Sequence, residues 1–162
     1  MVSLLVAMDA SAAALLQQAE QPSNLVLFLG RFHPLVLHLP IGFLALAIIF
    51  EVFGRIGRFA HLRDSVMFTL VLGAISSITA AALGYMLSLA GGYDEDLVFW
   101  HQWLGFTTSA LTIAAIVLKI KSSKEGGEGL IRYYHLVLVL IMGTLGIAVS
   151  YTHLTLPTMI GV

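Results

Sequence analysis

The chain contains no cysteine. That absence removes disulfides, thiolate metal sites and covalent attachment of a c-type haem within its 162 residues. Charge is also scarce: Asp, Glu, Lys and Arg together make up 10% of the sequence, against about 25% in an ordinary soluble domain. The formal net charge is −1, which excludes a globally basic nucleic-acid binder. Low-complexity tracts and internal repeats are absent. So are a glycine-rich nucleotide loop, a nucleophile triad, an HExxH pair and a paired-carboxylate arrangement, so catalysis by this segment alone is not expected.

What the chain has instead is apolar surface. Hydrophobic residues are 59% of it and the mean hydropathy is +0.95. In water this surplus would form large exposed patches, whereas in lipid it is the outside of a helix bundle. Crossing the hydrocarbon takes about 20 mostly apolar helical residues. Four segments meet or approach that length: residues 34–53, 66–90, 97–118 and 132–148. None alternates with the two-residue period of a strand. The expected fold is an all-α membrane protein, a four-helix antiparallel transmembrane bundle formed by residues 24–148.

Loop charges orient it. Arg55, Arg58 and Arg63 lie between the first two segments, and Lys119, Lys121, Lys124 and Arg132 flank the connection between the last two. The remaining connection, Gly91 to Asp96, carries no positive charge, and only Arg31 lies on its side. The positive-inside rule makes the basic side cytoplasmic and both termini extracytoplasmic. Phe99, Trp100 and Trp103 suit the outer interfacial belt, and Tyr133 with Tyr134 the inner one. Residues 1–23 read as an N-terminal extension, since Asp9 and the lack of a basic start count against a signal peptide. The stretch Asn24 to Phe32 reads as an apolar lead-in lying in the outer interface.

The last residues break the pattern. Val149 to Thr158 reads as a translated transposase adapter of the kind used in shotgun sequencing, so residues 149–162 are expected to be a non-native tail, with the natural chain continuing past Ala148. His153 therefore enters no functional argument.

Intramembrane ionisable side chains are costly and often functional. His33 precedes Pro34, and His38 follows five residues later, roughly 140° around an ideal helix, so the two do not grip one ion as an i,i+4 pair would. Pro40 leaves the carbonyl of Val36 without its helical donor. Counted from Pro34 and from Leu97, His38 and His101 lie at a common depth of about 6 Å. Two neutral imidazoles on neighbouring helices at one depth are what axial haem ligation or a small metal site requires. The competing reading has each histidine bonded to a helix carbonyl or to water. His61 is expected in the solvated basic loop, and His135 a bilayer away from the others.

Glu51 stands four residues before Arg55, the spacing of a snorkelling ion pair. Asp94, Glu95 and Asp96 read as an acidic solvated turn. Gly73, Ser77, Ala80, Ala81 and Gly84 have the small-residue spacing that permits close helix contact, and Gly105, Gly143 and Gly146 are expected to act likewise.

The stretch Phe28-Leu29-Gly30-Arg31-Phe32-His33-Pro34-Leu35-Val36-Leu37-His38-Leu39-Pro40-Ile41-Gly42 resembles the opening of a bacterial membrane family known as domain of unknown function 2231. Gly91-Gly92-Tyr93-Asp94 with His101 and Trp103-Leu104-Gly105 is a second match, and the resemblance covers about residues 24 to 148. The version it is most similar to precedes a planctomycete-type cytochrome c domain. Those relatives follow the fourth helix with a Gly/His-rich segment that this chain lacks where the adapter-like tail begins. The resemblance implies a multi-pass protein of the bacterial inner membrane, linked to an extracytoplasmic c-type cytochrome and to electron transfer.

The expected function is thus the membrane anchor of a cytochrome-linked electron-transfer protein, with haem held on the outer side by His38 and His101 and with His33 nearby. The alternative is a structural anchor or assembly scaffold without cofactor. A small ion or metabolite carrier comes third, because the paired broken helices usual in transporters are missing. The lipid bilayer is the partner in every case, and nucleic acid in none.

Overall fold

The computed structural model describes residues 22–125 and 128–154, so the N-terminal extension through residue 21 and the end of the adapter-like tail fall outside the described residues. Among the described residues six α-helices follow in order: α1 Asn24–Gly30, α2 His33–Val36, α3 His38–Phe53, α4 Leu62–Ser88, α5 Glu95–Glu125 and α6 Glu128–Leu154. Four stretches of the described residues are long and apolar enough to cross a membrane: Asn24–Phe53, Leu62–Ser88, Glu95–Lys124 and Glu128–Ser150. Among the described residues there is no strand. The all-helical, four-span architecture expected from hydropathy is therefore present.

The first span is longer than the sequence suggested. Asn24 to Gly30 is helical and packs on α4 rather than lying alone in the interface. Ser23 caps it, accepting from the amide of Val26 at 3.4 Å. Gly30 makes the packing feasible, because an added Cβ would stand 2.6 Å from the backbone nitrogen of Leu87. The helical ladder loosens where Pro34 and Pro40 supply no N–H. Arg31 and Phe32 bond three residues back, to Phe28 and Leu29, while Leu37 still reaches the carbonyl of His33 at 2.9 Å. Helix α6 likewise runs on to Leu154, through the first residues of the tail set apart in the sequence.

Consecutive long helices pack side by side, α3 on α4, α4 on α5 and α5 on α6, and a lighter contact between α3 and α6 closes the bundle. The core lies towards the basic end, where Leu44, Ala47, Val66, Leu70, Ala115, Tyr134, Leu138 and Ile141 are buried together. The outside is as greasy as the inside: Leu35, Phe68, Ile75, Ile113 and Val139 are all exposed. Hydrophobic burial does not order such a bundle in lipid, so close packing and interhelical polar bonds must. Gly73 receives the Leu44 side chain, whose Cδ2 would stand 2.6 Å from an added Cβ. Thr108 on α5 donates to Thr144 on α6 at 3.0 Å. Gly105, Gly143 and Gly146 depart from expectation, for a Cβ at each would meet nothing within 4 Å. None of the three makes a close helix contact.

The turn between α4 and α5 bends through Gly91 and Gly92, at φ 72° and 81°. These left-handed conformations favour glycine. Asp94 then accepts from the amide of Leu97 at 3.0 Å, so this acidic residue caps α5.

Candidate functional site

Two polar constellations stand at opposite ends of the bundle. At the Gly91–Asp94 end, α2 sets the imidazole of His33 against α4. Its Nδ1 lies 2.8 Å from the carbonyl oxygen of Ala80, and the ring rests on Gly84, where an added Cβ would come within 2.9 Å of Cε1. A carbonyl only accepts, so Nδ1 carries a proton and donates it to Ala80. The small-residue stripe on α4 is thus a contact surface as its spacing predicts, and at this end its partner is a histidine.

His101 comes from the second turn of α5. Its ring centroid is 6.0 Å from that of His33, with the planes at 89°. The Nδ1 of His101 is buried and, among the described residues, has no hydrogen-bond partner. Unpaired buried nitrogens of this kind are rare in native proteins and call for an explanation. One residue on, Gln102 donates from Nε2 to the Ser88 hydroxyl at 2.9 Å, joining the ends of α4 and α5 beside the pair.

Depth counted from Pro34 pairs His38 with His101; the structure pairs His33 with it instead. The span begins at Asn24 rather than at Pro34, so His33 already lies well inside. His38 opens α3 and is exposed. The angular separation read from the sequence has this consequence: one imidazole turns inward and the other outward. His61 is exposed, as expected of the basic loop.

A metal ion held by protein alone usually takes three or four ligands. Among the described residues no group of three or more histidines and carboxylates gathers in that way. Two imidazoles suffice, however, where a macrocycle fills the other positions. Metal–imidazole bonds are about 2.0–2.1 Å, which puts two rings on opposite sides of one ion roughly 6 Å apart, centre to centre. The centroid separation of the pair is of that order, and the buried Nδ1 of His101 is left without a hydrogen-bond partner among the described residues.

The second constellation, at the basic end, centres on Glu51, with partners other than the Arg55 that its spacing suggests. Glu51 on α3 is only 4% exposed. Its Oε2 accepts from Lys119 Nζ at 2.8 Å and from the Tyr134 hydroxyl at 3.0 Å, while His135 Nε2 lies 3.5 Å from Oε1. The ammonium of Lys119 also sits 4.8 Å from the centre of the Tyr134 ring. The expected Glu51–Arg55 pair is absent, because α3 ends at Phe53 and Arg55 lies beyond the helical register that would align them. The Arg55 guanidinium instead donates to the His135 ring. The cluster ties α3, α5 and α6 together. A glutamate in an apolar segment is itself a signal of burial, but its partners lie 68 and 83 residues away, beyond any local pattern.

No curated protein sequence and no solved structure gives a match to this chain. The family model described as "Predicted membrane protein (DUF2231)" matches residues 31–156, a stretch that takes in both constellations and all but the first turns of the bundle. The four-span, all-helical membrane protein built above is therefore a member of the DUF2231 family of predicted membrane proteins.

Proposed function

We propose that this bundle is an electron-transfer module that holds a haem through His33 and His101. The observation that carries the reading is the mutual placement of the two imidazoles, 6.0 Å apart between centroids, beside a buried His101 nitrogen without a partner. Bound there, haem would supply one-electron redox chemistry. The chain's own contributions are distinct. Ala80 fixes the tautomer and ring direction of His33, which is the usual role of a carbonyl behind a ligating imidazole. Gly84 leaves room for that ring. With no cysteine in the chain, the haem would be held without covalent attachment.

Loop charge supports a cellular setting for this module. The basic end faces the cytoplasm by the positive-inside rule, which places the histidine pair near the outer face of a bacterial inner membrane. An extracytoplasmic c-type cytochrome domain is the electron partner that this position suits.

A second reading rests on one contact. The His33–Ala80 bond already joins the first span to α4, so the histidines could serve packing alone in a cofactor-free anchor. The variants His33→Ala, His101→Ala and His38→Ala, expressed with haem in excess, separate the two. Ligation requires the first two to abolish haem absorbance, leaving His38→Ala like wild type. Wild-type protein free of haem, with all three variants folded, would refute ligation in favour of the anchor.

A further inference from the structure

Beside the Glu51 cluster, and independent of the histidine pair, a cleft of about 530 Å³ opens between α3 and α6. Its walls are apolar, formed by Ile48 and Val52 on one helix and Leu138, Val139 and Met142 on the other. Its polar groups, Glu51, Arg55 and His135, all belong to one end. We propose that this cleft holds one acyl chain of an anionic phospholipid, with the lipid phosphate on Arg55.

Depth, charge and shape agree on that occupant. Arg55 stands two residues beyond Phe53, where the first span ends, so its backbone falls next to the headgroup region and its guanidinium reaches back to His135 at the mouth of the cleft. Glu51 does not neutralise it: that carboxylate is taken by Lys119 and Tyr134. Among the described residues Arg55 has no carboxylate partner; its contact is the His135 ring, which accepts one of its five N–H groups. The remaining donors form the planar fork that matches phosphate oxygens. From His135 to Gly143 the apolar wall of α6 extends about 12 Å from that headgroup position, in the direction an acyl chain takes. The volume falls within the range of about 300–1,000 Å³ typical of small-ligand sites. The seam is also where the bundle closes most lightly, so a chain can enter from the side.

The test is lipid retention by the purified full chain. Native mass spectrometry after detergent exchange should find one phosphatidylglycerol per chain. Added phosphatidylglycerol should raise the melting temperature by several degrees, and phosphatidylcholine of the same chain length should not. Arg55→Gln should reduce retention of the anionic lipid at least tenfold. Gly143→Leu fills the apolar wall at a position where an added Cβ meets nothing within 4 Å, and should abolish retention in a folded protein. Equal retention of both lipids, unchanged in the two variants, would show ordinary boundary lipid and overturn the proposal. So would a neutral quinone that displaces phosphatidylglycerol from wild type and binds Arg55→Gln equally well.

Discussion

The carbonyl of Ala80 accepts a hydrogen bond from Nδ1 of His33 at 2.8 Å, across the seam between the first span and α4. A helix carbonyl that normally serves its own ladder thus holds an imidazole from a neighbouring helix. The contact requires a small residue one turn further on, and Gly84 provides it. Sequence spacing, helix approach and the direction of a candidate ligand are linked at this one place.

Gly84→Ala tests that link. The new methyl would stand 2.9 Å from Cε1 and 3.0 Å from Nδ1 of His33, so the ring must shift and the bond to Ala80 must lengthen. Overpacking of this kind costs about 1–3 kcal/mol. Thermal unfolding in detergent should show the loss, and haem absorbance should fall with it. A variant as stable as wild type, with full absorbance, would show the ring to be free to move.

Lys119→Met should be the most damaging single change at the basic end. It leaves Glu51, 4% exposed, without its cation. Removing one partner of a buried ion pair costs about 3–5 kcal/mol, somewhat less here because the lysine side chain is 18% exposed. Adding Glu51→Gln removes the stranded charge and should restore most of the stability. A double-mutant cycle followed by thermal melting measures this coupling, and strict additivity of the two changes would exclude it.

A milder effect is expected where α5 meets α6. Thr108→Val deletes the 3.0 Å bond to Thr144. Interhelical polar bonds of this type are worth about 0.6 kcal/mol, so the melting temperature should drop by only a degree or two. A drop as large as that of Lys119→Met would place far more weight on this seam than one hydrogen bond can carry.

The fold was legible because its strongest signal is physical length: four greasy runs, each close to the thickness of a bilayer. The small-residue stripe on α4 was legible for the same reason, since spacing alone puts Gly73, Ser77 and Gly84 on one side of a helix. Less was visible at the histidines. Pro34 resembled a helix start, and counting depth from it put His38 opposite His101 in place of His33. The helical bonds across Arg31 and Phe32 that carry the span back to Asn24 depend on packing against α4, which no local pattern announces. The Glu51 cluster was hidden more deeply, because three helices must assemble before its partners meet.

Topology can be checked without any cofactor. Reporter fusions at Gly92 and at Lys124 should report opposite sides of the membrane, with Gly92 outside. A cytosolic signal from Gly92 would invert the bundle and move the histidine pair to the inner face.

The most direct measurement is the haem content of the wild-type chain, purified after haem-replete expression and read from its Soret band against protein concentration. Ligation by His33 and His101 requires one haem per chain with the spectrum of two imidazole ligands. Well-folded protein with a featureless visible spectrum, unchanged on addition of haem, would contradict it.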